Sequence, residues 1–231
     1  MKKIFDRYDK AHLAELPRVC FPGRIRVIVG ENDAERAVDY LSKQTLLGFD
    51  TETKPSFRPG RQHKVALLQV CCDPAAADTS HRDGESVCFL FRLNRLGLPP
   101  CLLRLLEDKR MTKVALSWRD DIHLLNQRVK FQAGTFIDLQ DIAAEMGIQD
   151  MSLQKLYANI FGMKISKGQQ LSNWEAADLS EAQMNYAATD AWACVRLYKE
   201  MMRMKEEGYT LERRPLSDNQ EGEANHKTVN A

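Results

Sequence analysis

Two carboxylates, Asp50 and Glu52, stand one residue apart at the end of the apolar run LLGFDTE. Side chains alternate along a strand, so on a strand these acids share one face while Thr51 points away. Close carboxylates repel, and each raises the other's pKa unless a cation lies between them. An oxygen-only shelf of this kind suits Mg²⁺ or Mn²⁺. A second feature is Tyr186 and Asp190 in NYAATDAW. A spacing of four puts both on one face of a helix, and Ala187, Ala188 and Ala191 beside them let another element come close. The third is WRDDIHLL, where Asp120 and Asp121 sit at a strand-to-helix junction. Helical spacing groups Asp121 with Trp118, Ile122 and Leu125, and Asp120 with Leu124. One of the two can cap the helix, and spacing leaves the choice between them open. Taken singly, each feature has an ordinary explanation: a solvated strand end, a tyrosine beside a helix carboxylate, a cap.

Elements must carry these groups to one place. RIRVIV (24–29), LLGFDTE (46–52), VALLQVCC (65–72), VCFLFRL (87–93), KVALSW (113–118) and FIDL (136–139) read as strands. VALLQVCC is nearly all apolar, as in a strand covered on both faces. Residues 32–44 read as a helix capped by Asn32 or Asp33, and LPPCLLRLLED (98–108) as one with proline in its first turn. Helices follow at RDDIHLLNQ, QDIAAEMG and SLQKLYANIFG. The last begins at Ser180, where Ser180 and Gln183 fit a capping box, and runs to about Met204. DPAAADTSHRDGES reads as a hairpin loop. The order implies an α/β chain with one central mixed sheet. Residues 1–23 form an N-terminal extension, 24–205 one domain, and 206–231 a polar tail expected to be disordered.

The net charge is +1, so no global field draws the chain to a polyanion. Binding to one must come from a local patch or from metal. The six cysteines form no CxxC pair and read as buried thiols of a reducing cytoplasm. The N-terminus has no apolar core of a secretory signal, and no stretch approaches the ~20 apolar residues of a membrane span. The expected location is cytoplasmic, with no membrane partner.

Together, GFDTETKPSF, KVALSWRDDIHLL and LSNWEAADLSEAQMNYAATDAW resemble the three motifs of DEDD-type 3′–5′ exonucleases in the ribonuclease H-like superfamily. The likeness is to the Werner-helicase type of exonuclease domain and its stand-alone bacterial relatives, and more distantly to ribonuclease D. It covers about residues 24–204. It implies a three-layer fold with a five- to six-stranded mixed sheet flanked by helices. Alignment of the second motif selects Asp121. Asn185 stands where the histidine subgroup carries its histidine, so the likeness is to the tyrosine subgroup. Leu171, Ser172 and Trp174 match the Werner-type LSxW pattern. Ala115 and Ser117 stand where the family often has glycines, a departure read as a mild change in packing.

The resemblance implies hydrolysis of the last phosphodiester at a 3′ end, with release of nucleoside 5′-monophosphates. It implies two divalent cations, Mg²⁺ or Mn²⁺, about 3.5–4 Å apart. Asp50, Glu52 and Asp190 are the expected ligands of the first, with Asp50 bridging to the second and Asp121 reaching that ion through water. Tyr186 is expected to orient the attacking water. The expected partner is a nucleic acid with a 3′ end, DNA ahead of RNA. Thr51, Arg58, Arg61, Lys64 and Trp174 are the candidate substrate contacts. Lys54, His63, Lys164 and Lys167 are further cations for phosphates, and Phe57 or Trp174 could stack on a base, with core packing the other role open to Trp174. His123 is expected on a helix surface or in the core, and Asp138 and Asp141 at a strand end and helix cap. Two other readings remain: a nucleic-acid-binding module without catalysis, and a hydrolase of small phosphoesters.

Overall fold

The structure is a computed structural model that describes residues 1–56, 63–72 and 86–213. Six strands form one mixed sheet: β2 (Arg24–Ile28), β3 (Leu46–Thr53), β4 (Val65–Cys72), β5 (Val87–Phe91), β6 (Thr112–Ala115) and β7 (Phe136–Asp138). Their order is β2-β5-β4-β3-β6-β7. β4 runs antiparallel to β3 and β5, and the other pairs are parallel. β4 is buried at all eight positions, as its unbroken apolar run requires at the centre of a sheet covered on both faces.

One face carries α6 (Leu139–Glu145), α7 (Leu153–Phe161) and the 27-residue α8 (Glu181–Glu207). The other carries α2 (Glu31–Leu41), α4 (Pro100–Glu107) and α5 (Trp118–Asn126). Short helices α1 (Lys10–Leu13) and α3 (Leu93–Leu96) complete the set. α8 starts with the expected capping box: Ser180 Oγ accepts from the Gln183 amide, and Gln183 Oε1 accepts from the Ser180 amide. α4 has Pro100 in its first turn.

Several expectations shift. α2 begins at Glu31 with Gly30 as its N-cap, so Asn32 and Asp33 lie inside the first turn. Glu31 and Asp33 there face the positive end of the helix dipole. The KVALSW strand ends at Ala115, and Trp118 opens α5. The extension and the start of the tail are structured. β1 (Lys2–Phe5) pairs in parallel with β8 (Tyr209–Glu212), and Ile4 is fully buried. Disorder was expected from 206, but α8 runs to Glu207 and β8 follows. Few apolar residues sufficed, because two chain ends far apart in sequence supply each other's backbone hydrogen bonds. Residues 57–62, most of the expected hairpin loop at 73–85, and 214–231 lie outside the described residues. No helix among those described is long and apolar enough to cross a membrane.

β3 pairs with β6 only over Leu46–Gly48, and with β4 over almost its whole length. Beyond Gly48 its β6-side edge opens. That opening, at the carboxyl ends of parallel strands, is where an α/β sheet leaves a crevice.

Candidate metal and nuclease site

The crevice is an open cleft of about 360 Å³. Asp50, Thr51 and Glu52 line it from β3, Tyr186, Asp190 and Cys194 from α8, and Ser152, Ser166, Lys167 and Gln170 from the far wall. Ligand oxygens of Asp50, Glu52 and Asp190 lie within 4.8 Å of one another. Gly48 makes this possible. A Cβ on it would sit 2.0 Å from the Ala191 carbonyl oxygen, so only glycine lets the α8 backbone rest on β3. The alanines at 187, 188 and 191 are fully buried in that contact, as their size led one to expect. Gly48 carries a sequence signal that the carboxylate pattern does not use: a glycine inside a strand marks close backbone approach.

Asp121 stands just outside the triad. It accepts a hydrogen bond from the Thr51 hydroxyl, and its charge acts on Asp50 and Glu52. Asp120 instead accepts from Ser117 Oγ at the helix start. Ser117 holds the turn between β6 and α5 in the left-handed region, with φ 58° and ψ 36°. Its amide donates to buried Asp138, which also caps α6. The serine in place of a glycine is therefore a matter of backbone conformation more than packing. Ser117→Val is expected to cost about 1–3 kcal/mol, since a β-branched residue resists positive φ. Urea denaturation measures this, and a change under about 0.5 kcal/mol would contradict it.

Three carboxylates in a crevice, with a fourth beside them, cannot all stay ionised cheaply. Loss of water, then the charges of Asp190, Glu52 and Asp121, hold Asp50 well above the carboxylate range. Burial, then Asp190 and Asp121, pushes Glu52 up to about 9. Burial raises Asp190 to about 7 against the Tyr186 hydroxyl and Lys167, and raises Asp121 to about 6 against the Thr51 hydroxyl. Tyr186 is pushed up by burial and by the charges of Asp190, Glu52 and Asp50, so its hydroxyl keeps its proton beside Asp190. Asp190 Oδ1 has no hydrogen-bond partner. An all-oxygen donor set with a buried orphaned oxygen fits a hard divalent cation. Folded-state pKa values above the unfolded ones mean that stability is present at low pH and lost as pH rises. In EDTA, the melting temperature should fall as pH rises from about 4.5 towards 9, and saturating Mn²⁺ should remove most of the fall. A melting temperature independent of pH in EDTA would contradict this.

The other site candidates fall in different places. Trp174 is fully buried and packs on Tyr186 with ring centroids 6.0 Å apart. It therefore supports the tyrosine from behind, and the base contact expected of it is replaced by packing. Thr51 lines the cleft, but its hydroxyl is committed to Asp121. Lys64 is exposed and off the cleft wall, and Arg58, Arg61 and Phe57 lie outside the described residues. Lys54 and His63 both approach Glu175. Lys167 lines the cleft, whereas Lys164 donates to the Ala14 carbonyl. His123 is exposed on α5, and Asp141 pairs with Arg119 away from the cleft wall.

A family model described as 3′-5′ exonuclease matches residues 25–206. The chain belongs to the 3′-5′ exonuclease family. It is 30% identical over 195 residues to the bifunctional 3′-5′ exonuclease/ATP-dependent helicase WRN of Mus musculus, covering 80% of this chain and 13% of that protein. It is 30% identical over 180 residues to ribonuclease D of Haemophilus influenzae, covering 77% of this chain and 41% of that protein. Both are relatives of the kind its motifs resemble, and the chain spans well under two thirds of either. Among solved structures, the Aedes aegypti Nibbler EXO domain superposes with a TM-score of 0.67 at 19% identity, covering 88% of this chain and 94% of that one. That likeness carries the fold, a six-stranded mixed sheet between helices, as the ribonuclease H-like resemblance implied.

Proposed function

We propose that this exonuclease-family chain removes nucleotides one at a time from the 3′ end of DNA or RNA and releases nucleoside 5′-monophosphates. The observation that carries the reading is the meeting of Asp50, Glu52 and Asp190 within 4.8 Å, with Asp121 beside them. In this reading Asp50, Glu52 and Asp190 hold one divalent cation, and Asp50 and Asp121 serve a second, with Mg²⁺ or Mn²⁺ as the ions. The chemistry such a pair supplies is charge neutralisation, activation of water and stabilisation of the leaving oxygen. Lys167 faces the same cleft and supplies a cation for the substrate phosphate. Thr51 fixes the rotation of Asp121, and Trp174 fixes the ring of Tyr186.

In this reading Tyr186 orients the attacking water through its protonated hydroxyl. Tyr186→Phe should slow cleavage about 10- to 100-fold, in the range of a lost positioning hydrogen bond. Mn²⁺ affinity should change less than about twofold, since phenylalanine keeps the Trp174 packing and phenol is not a cation ligand here. An unchanged rate would reduce the tyrosine to packing. The proposal as a whole is tested on 5′-labelled single-stranded DNA, recessed duplex DNA and RNA with Mg²⁺ or Mn²⁺. A ladder shortening by single nucleotides, lost in EDTA, supports it, and the preferred lane names the polymer. Folded protein that cuts none of them, with Mn²⁺ present, overturns it in favour of a binding module. Cleavage of free nucleotides alone would favour a small-phosphoester hydrolase.

A further inference from the structure

Gln69 lies mid-strand in β4, directly opposite Asp50 in the antiparallel ladder. It is 0% exposed, and among the described residues neither Oε1 nor Nε2 has a hydrogen-bond partner. A buried amide without partners is costly to keep in a core, so its presence calls for a reason beyond packing. Directly opposed residues of an antiparallel pair point to the same face, with Cβ atoms about 4.5–5.5 Å apart. Gln69 therefore projects beneath α8 together with Asp50. Its other neighbours on that face are apolar or nearly so: Leu67 and Cys71 along β4, Leu90 across on β5, and the alanines of α8 above. Asp50 is the carboxylate within this box, and the unpartnered Asp190 Oδ1 comes down onto the same face.

We propose that Gln69 is a positioning residue for Asp50: its Nε2, unpartnered in this structure, donates to one Asp50 carboxylate oxygen when a cation is bound and so fixes which lone pairs face that cation. The inference rests on Asp50 being a metal ligand, as read above. A ligating carboxylate is ordinarily oriented by such a partner, and loss of the partner typically weakens metal binding 10- to 100-fold. An ionised carboxylate accepts only, and a glutamine amide offers two donor hydrogens, so the chemistry matches in one sense only. The sequence offered a trace of this: Gln69 is the one polar residue in VALLQVCC.

Gln69→Met keeps length and volume and removes both polar atoms. Wild type, Gln69→Met and Asp50→Asn would be melted in EDTA and titrated with Mn²⁺ alone by calorimetry. Gln69→Met should melt at or above the wild-type temperature in EDTA, because an unpartnered amide is gone. It should bind Mn²⁺ at least about tenfold more weakly. Its kcat on single-stranded oligonucleotide should fall with KM unchanged. Gln69→Asn, which keeps the amide on a shorter arm, should bind Mn²⁺ with intermediate affinity. A lower melting temperature or unfolding in EDTA with Mn²⁺ affinity intact in the folded fraction would make Gln69 a packing residue and overturn the inference. Wild type that binds no Mn²⁺ beyond what Asp50→Asn binds would overturn the metal reading itself. Wild type that binds, with Gln69→Met binding alike, would remove only the role of Gln69.

Discussion

Asp50→Asn is expected to reduce cleavage at least about 1,000-fold while leaving the protein folded and, without metal, more stable. Asp50 is the acid whose carboxylate meets the charges of Glu52, Asp121 and Asp190 at once. Asparagine preserves its shape and removes its charge. A cation at the site then loses an anionic ligand, and with it several kcal/mol of transition-state stabilisation, each ~1.4 kcal/mol of which is tenfold in rate. In EDTA the same change removes a source of repulsion, so the melting temperature at pH 8 should rise, and its fall with pH should flatten. Both arms are read on one preparation, by a labelled-oligonucleotide assay at saturating Mn²⁺ and a thermal melt in EDTA. Wild-type turnover would refute the assignment of Asp50. Loss of activity together with a lower metal-free melting temperature would mean that the substitution damages the fold instead.

Gly48→Ala is the substitution expected to cost most stability for the fewest atoms. Its Cβ would lie 2.0 Å from the Ala191 carbonyl oxygen and 2.7 Å from Val195 Cγ2. The nearest atom is helix backbone, and buried, branched Val195 has no flexible chain end to move aside, so α8 must lift from β3. Overpacking of this kind costs about 1–3 kcal/mol and sometimes more. The lift also carries Asp190 away from Asp50, and a displacement near 1 Å can cost about 100-fold in rate. We expect about 3 kcal/mol of destabilisation in urea, weaker Mn²⁺ binding, and a rate loss of about 100-fold or more in the fraction that remains folded. Stability and turnover near wild type would show that α8 does not depend on glycine for its seat. The two substitutions are complementary, since one removes charge at fixed geometry and the other disturbs geometry at fixed charge.

What the sequence determined by itself is the set of local periodicities. Asp50 and Glu52 share a face because a strand alternates, and Tyr186 and Asp190 do so because a helix repeats every 3.6 residues. The capping box at Ser180 and the central, doubly covered β4 follow from neighbours in the chain in the same way. Relations across the fold were decided only by tertiary structure. Spacing left Asp120 and Asp121 open, because both sit in the first turn of α5; the left-handed Ser117 turns one towards its own hydroxyl and the other towards Thr51 on β3. Trp174 reads as core or as a stacking surface, with core the favoured role, and its burial against Tyr186 decides for core. The β1–β8 pairing was illegible because each strand is short and weakly apolar, and neither predicts the other. The meeting of Asp50 with Asp190 depends on where α8 lies over the sheet. That is fixed by the absence of a single side chain at Gly48, whose effect appears only once two distant backbones are brought into contact.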